Sequence, residues 1–372
     1  MAALGIGLIG TGYMGKCHAM AWNAVLPVFG DVEAPRLLHL AETSDERARQ
    51  RASELGFEKA TGDWRTFLDD PLVDVVSITT PNQFHAEMAI AALEAGKHVW
   101  CEKPMATALA DAERMQEAAA RSGKVAVLGY NYIQNPVIRH IRRLLSEGAI
   151  GEVNHVRIEM DEDFMADPTT PFSTRSALAS GYGALDDFGV HPLSLLFTLF
   201  GHVESVVTDM VKPSEERPLS GGGARKVENH DVASVLMRME SGTSVVLMVN
   251  RAAWGRKGRI ALQVFGSTGS ILYDQERMNE FEIYQANGPT ENQGFRKVLA
   301  GPYHQPYDRF VPAPGHSLGF NDLKVIECRE LIAAIGGKPA NLIDFKDGLR
   351  IERSVHAMAQ SFADRGWVRV EA

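Results

Sequence analysis

An apolar, β-branched run, Ile6 to Ile9, leads without a break into Gly10-x-Gly12-x-x-Gly15. The run is short enough for a fully buried parallel strand. Tyr13 to Leu26 then carries apolar residues at helical spacing with few charges. The glycines therefore fall at a strand-to-helix turn, where a dinucleotide fingerprint needs them. Gly10 permits the tight turn, Gly12 lets a pyrophosphate approach the backbone, and Gly15 lets helix and strand pack closely. The helix N-terminus offers free N–H donors and partial positive charge. The expected contacts are Gly10, Thr11, Gly12, Tyr13, Met14 and Gly15. The competing reading is a βα turn that binds nothing, since 34 glycines in 372 residues make chance matches possible.

A chain of 372 residues suits two domains. With 45% hydrophobic and 23% charged residues it has the profile of a globular protein. The net charge is −9, and no basic run marks a nucleic-acid or anionic-membrane partner. Cys17, Cys101 and Cys328 are far apart and in no CxxC pair, which points to reduced thiols in the cytoplasm. The first apolar run is too short for a signal peptide or a membrane span. Twelve histidines show no metal-ligand spacing, so no metal is expected.

Strands and helices alternate over the first third of the chain. Strands are expected at 35–41, 73–78, 97–101 and 125–128, and helices at 44–55, 64–69, 85–95 and 111–122, which together indicate a doubly wound parallel sheet. Ligands sit at the C-terminal ends of strands in such a sheet. Glu42 closes the second strand, where an acid accepts from the adenosine ribose hydroxyls and repels a 2′-phosphate. No arginine follows it directly, only Thr43 and Ser44, so NAD is favoured, with NADP possible. Thr80-Pro81-Asn82 and Glu102-Lys103-Pro104 lie at further strand ends.

These motifs in order, with His18 behind the glycines, His85 behind Asn82, Gly129-Tyr130-Asn131-Tyr132 and Asp187-x-Gly189-x-His191, resemble the glucose–fructose oxidoreductase and inositol dehydrogenase family (Gfo/Idh/MocA). The resemblance covers nearly the whole chain. It implies an N-terminal Rossmann domain at 1–128 and an α+β domain at 129–372 on a large, mostly antiparallel sheet. One face of that sheet is open and used for contacts between copies, giving a dimer or tetramer. Helices at about 320–363 are implied to pack back near the first domain. Cofactor contacts are implied at Thr80, Pro81, Asn82, His85, Glu102, Lys103 and Asn131. Tyr182 and Ser194 depart from the family pattern.

Beyond residue 129, a helix is expected at 136–147 and strands at 153–160, 203–211, 231–239, 243–249, 260–265 and 280–285. Residues 212–227 read as a mobile surface loop and 293–317 as irregular. Helices are expected at 320–335 and 348–363.

The chemistry is expected from Lys103, Asp187 and His191. The proline turn aims Lys103 into the crevice at the strand ends. Asp187 and His191 are i, i+4, on one face of a helix. An imidazole beside a carboxylate is a suitable general base. Taken alone, Asp187 serves equally well as a helix cap and His191 as a core histidine. With the resemblance, His191 takes a hydroxyl proton, Lys103 polarises the oxygen and Asp187 orients the pair. Asp186 points elsewhere. Asn229-His230-Asp231 and Trp254-Gly255-Arg256 are candidates to border the pocket, but strand starts and hairpin tips explain them better. The implied activity is NAD-dependent hydride transfer from a secondary hydroxyl of a sugar, sugar derivative or cyclitol. A redox-silent NAD-binding sensor and an NAD-dependent glycosidase are the alternatives on the same fold.

Overall fold

The computed structural model describes residues 3–371, which divide into two compact units. The first comprises residues up to 134 together with 318–349; the second comprises 135–317 and 350 onward. The cut therefore falls a few residues beyond 128, and the first unit is discontinuous. The reason is a helix and a short strand near the chain's end that complete its layers.

In the first unit the elements are β1 (Gly5–Ile9), α1 (Tyr13–Phe29), β2 (Arg36–Ala41), α2 (Asp45–Leu55), β3 (Lys59–Thr61), β4 (Val75–Ile78), α3 (His85–Glu94), β5 (His98–Cys101), α4 (Leu109–Ser122) and β6 (Ala126–Leu128). Six strands run parallel in the order β6-β5-β4-β1-β2-β3, and Ile343–Asp344 pairs antiparallel on the outer edge of β6. Residues of β1, β4 and β6 are buried throughout, as expected of strands covered on both faces. Ser44 caps α2 by accepting from the Arg47 N–H. The strand order reverses between β1 and β4, so the glycine turn and the Thr80 turn lie at the switch point where such sheets bind ligands. The helix Phe320–Ile335 packs alongside α1, with Phe320 5.8 Å from the Tyr13 ring and Arg329 2.7 Å from Asp31.

The second unit is built on a nine-stranded sheet, ordered 296–299, 280–285, 269–274, 257–266, 153–162, 244–250, 232–239, 203–211 and 368–369. All neighbours are antiparallel except 153–162 with 244–250. Along Val232–Met239 burial alternates residue by residue. Ala233, Val235, Met237 and Met239 enter the core, while Ser234, Leu236 and Arg238 face outward. Residues 212–227, expected as a mobile loop, contain a hairpin of Glu216–Pro218 and Ala224–Lys226. Arg217 anchors it: its buried guanidinium donates to the carbonyls of Met165 (2.6 Å) and Asp167 (3.0 Å). The segment 293–317 contributes the edge strand Arg296–Leu299 and is otherwise irregular.

Candidate active site

Gly10 adopts φ +87°, a conformation that side chains disfavour, and the chain turns there from β1 toward α1. The Thr79 hydroxyl, just past β4, lies 2.8 Å from the Gly10 carbonyl oxygen and fixes the turn. A Cβ at Gly15 would lie 2.3 Å from that same oxygen, so helix and turn approach too closely for any side chain. A Cβ at Gly12 would meet nothing within 4 Å. Space is thus left open beside the start of α1, whose first N–H groups carry no side-chain cap and no acidic neighbour in the first turn. Bare donors and open space together fit a pyrophosphate.

Glu42 follows β2 and accepts from the backbone N–H of Thr11 (2.9 Å), from the Thr11 hydroxyl and from the Thr43 N–H (3.0 Å). Burial opposes its ionisation, but these hydrogen bonds and the Arg47 guanidinium outweigh it, and the carboxyl titrates below its usual range. The sequence shows no arginine directly after Glu42. The first turn of α2 nevertheless brings Arg47 back to within 3.1 Å of it, and Arg51 donates to the Thr11 carbonyl at 3.0 Å. An open hollow of about 480 Å³ is lined by Thr11, Ser44, Glu46, Arg47, Gln50 and Arg51.

At the end of β4, Thr80, Pro81 and Asn82 are partly or fully solvent-exposed. His85, expected to touch the cofactor, is instead fully buried at the start of α3. Its ring nitrogens lie 2.9 Å from the carbonyl oxygens of Pro104 and Thr80, so it ties two strand-end turns together. The Glu102 side chain is also turned inward. It is 5% exposed, and its carboxylate is taken by His18 (2.9 Å) and by Lys324 (2.6 Å). Lys103, next in sequence, is half-buried. Asn131 is buried, and its amide nitrogen has no acceptor among the described residues.

Sequence reasoning missed Lys324 and Glu327. Their signal was available: a Lys and a Glu three apart inside a helix whose neighbours, from Leu323 to Cys328, are otherwise apolar. Cys17, Cys101 and Cys328 are all buried and free.

In the second unit, residues Leu185–Gly189 form one wide π-helical turn that leads into the helix Val190–Phe200. Asp187 and His191 therefore do not share one regular α-helix. Asp187 sits in the wide turn, and His191 in the first turn of the helix that follows, a local irregularity often found at functional sites. His191 is 7% exposed. The Asp187 carboxylate accepts from Arg175 at 2.9 Å and lies 3.6 Å from the buried Arg251. Arg251 is held by Asp231 (2.7 Å) and by Asn229 (3.3 Å). Asn229 and Asp231, read from sequence as a strand start, are thus buried supports beneath Asp187. Asp186 is buried and caps the preceding loop by accepting the Tyr182 N–H. Burial, with Asp187 adding to it, pushes the Asp186 carboxyl up to about 7.

Comparison with known proteins adds the following. A family model described as an oxidoreductase family with an NAD-binding Rossmann fold matches residues 4–144. A model of the GFO/IDH/MocA C-terminal domain matches residues 138–272. The chain is 34% identical to levoglucosan dehydrogenase of Pseudarthrobacter phenanthrenivorans, covering 100% of this chain and 99% of that one. It is 31% identical to myo-inositol 2-dehydrogenase of Thermotoga maritima, over 73% of this chain and 75% of the other. A solved levoglucosan dehydrogenase in complex with NADH and levoglucosan superposes with a TM-score of 0.95, at 34% identity and full coverage of both chains.

Proposed function

Because the chain belongs to the Gfo/Idh/MocA family of NAD-binding oxidoreductases, we propose that it oxidises a secondary hydroxyl of a sugar, sugar derivative or cyclitol with NAD, or runs the reverse reaction. The full-length match to an enzyme named for an anhydrosugar carries this reading. Bound NAD supplies the ring that accepts hydride from the carbinol carbon. The Gly10–Gly15 turn and Glu42 hold its adenosine diphosphate half, and the strand-end turns at Thr80–Asn82 and Glu102–Lys103, with Asn131, hold the remainder. Lys103 donates to the substrate oxygen and polarises it. His191 accepts the hydroxyl proton, so that alcohol and NAD become ketone, NADH and a proton. Asp187, fixed by Arg175 and Arg251, orients the base.

The outward face of the nine-stranded sheet presents Leu236, Met248 and Val211, each more than two-fifths exposed. A second copy of the chain is the partner proposed for it. The three free cysteines support a cytoplasmic location.

The test is a panel of polyols, cyclitols, aldoses and anhydrosugars, levoglucosan and myo-inositol included, incubated with NAD and read at the NADH absorbance. NADH accumulation on one of them supports the proposal. None on any free polyol or sugar overturns it.

A further inference from the structure

Lys324 is completely buried, with its ammonium 2.6 Å from Glu102 and 2.8 Å from Glu327. His18 reaches Glu102 from α1, and its ring stacks on Trp100 at 3.7 Å. Lys324 also lies 5.3 Å from the Trp100 ring. Thus one ammonium serves two carboxyls in a space closed to water, and one of those carboxyls immediately precedes Lys103. Such a cluster adds little stability over apolar residues of the same volume. Its location suggests a role in the chemistry.

We propose that Glu327, with Lys324 and Glu102, sets the charge beneath the Lys103 turn and thereby the protein's preference between oxidised and reduced cofactor. The inference rests on the reading that this turn seats the nicotinamide end of NAD.

Lys324, Glu102 and the Trp100 indole act on Glu327 directly, and Cys328 lies beside it on its own helix. The other titratable groups of the cluster, Cys101 at the end of β5 and His18 and Cys17 on α1, lie around Glu102 and Lys324. Burial pushes the three thiols up, so they stay protonated. Burial lowers His18 to about 4, so it is neutral. For Glu102 burial works upward, but the Lys324 ammonium and the His18 hydrogen bond prevail, and it stays ionised. For Lys324 burial works downward, but its two carboxyl neighbours prevail, and it stays charged. Glu327 is left to titrate. Burial, aided by the Glu102 charge and opposed by Lys324, pushes it up to about 7.

Below that pH the cluster is neutral overall, with Glu102 negative and Lys324 positive. Above it the cluster carries one net negative charge. The oxidised nicotinamide ring is a cation and the reduced ring is not. Ionised Glu327 therefore favours NAD over NADH, and its isosteric replacement by glutamine removes the effect.

The test measures dissociation constants of NAD, NADH and ADP-ribose between about pH 5.5 and about pH 8.5, in the wild type and in Glu327→Gln, by fluorescence and calorimetry. In the wild type the ratio of the NADH to the NAD constant should rise about tenfold across the range, the scale of one charge acting through protein of moderate effective dielectric. In Glu327→Gln the ratio should hold its low-pH value throughout, and ADP-ribose, which lacks the ring, should show no such dependence in either protein. A flat ratio in the wild type overturns the inference, and this arm needs no variant to fold. A slope that persists in Glu327→Gln also overturns it. If NAD and NADH bind no differently from ADP-ribose at every pH, the seating of the nicotinamide at this turn is wrong and the inference falls with it.

Discussion

One ring nitrogen of His85 lies 2.9 Å from the carbonyl oxygen of Pro104, the residue that follows Lys103. The other nitrogen faces Thr80 at the same distance, so one imidazole spans two of the strand-end turns. Burial lowers its pKa, so the ring is neutral and donates through one nitrogen at a time. His85→Ala should take the donor from whichever of the Pro104 and Thr80 carbonyls it serves and cost about 1–3 kcal/mol. Denaturant unfolding measures that loss. If His85 positions the turns and does not touch the adenosine half, ADP-ribose affinity should stay within a few-fold of the wild type while NAD affinity falls.

Gly12 and Gly15 should fail in different ways. A Cβ at Gly12 would lie more than 4 Å from any atom of the described residues, so Gly12→Val should fold normally and lose most of its NAD affinity. A methyl at Gly15 runs into the Gly10 carbonyl, so Gly15→Ala should lower the melting temperature as well. Calorimetric NAD titration beside thermal unfolding separates the two. Undiminished NAD binding by Gly12→Val would sink the pyrophosphate assignment.

Glu42 should give NAD the higher kcat/KM over NADP in the wild type. Its neighbour Arg47 sharpens the expectation for a variant. Glu42→Ala removes the acceptor for the ribose hydroxyls and frees Arg47, with Arg51 close by, to face a 2′-phosphate. The NADP/NAD ratio of kcat/KM should rise by at least about tenfold, the scale of one charge-assisted hydrogen bond. Steady-state kinetics with both cofactors measures it.

Lys103→Ala and His191→Ala should each lower kcat by about 10²–10⁴-fold while NAD affinity stays within a few-fold. Both act on one proton, so the double variant should be little worse than the worse single. The rise of kcat/KM for oxidation with pH should vanish in His191→Ala. A single variant that keeps more than about a tenth of wild-type kcat removes its residue from the chemistry.

Asp186 offers a test by pH and stability. Its folded pKa of about 7 lies above that of an unfolded aspartate. The folded state therefore holds the proton more tightly, and the stability this contributes is complete below about pH 4 and is lost as pH rises through about 7. Asp186→Asn keeps an oxygen for the Tyr182 N–H and cannot ionise. Its stability relative to the wild type should improve from pH 4 to pH 8, by up to about 4 kcal/mol. Melting temperatures of both proteins across that range give the answer, and a constant difference would refute it.

The parts legible in the sequence were those whose meaning is local. The glycine turn, the helix cap at Ser44 and the alternation along Val232–Met239 each depend on residues a few positions apart, and each stands where its pattern places it. What escaped depends on contacts that pattern cannot carry. Lys324 acquires its role from Glu102, 222 residues away. Arg217 reads as one charge in a polar, glycine-rich loop, but its guanidinium is satisfied by carbonyls about fifty residues back. His85 and Glu102 were placed at the right strand ends. Their side chains turn inward because the turns themselves need support. The π-helical turn at Asp187 has no marker in a pattern read at ordinary helical spacing.

The strand Ile343–Asp344 and the helix carrying Lys324 complete a half of the protein that begins near residue 3. No continuous stretch of the gene encodes that half. A chain still emerging from the ribosome at residue 134 has an uncovered edge on β6 and a buried carboxylate at Glu102 without its ammonium. The first unit can be closed only after residues 135–317 of the second have been made.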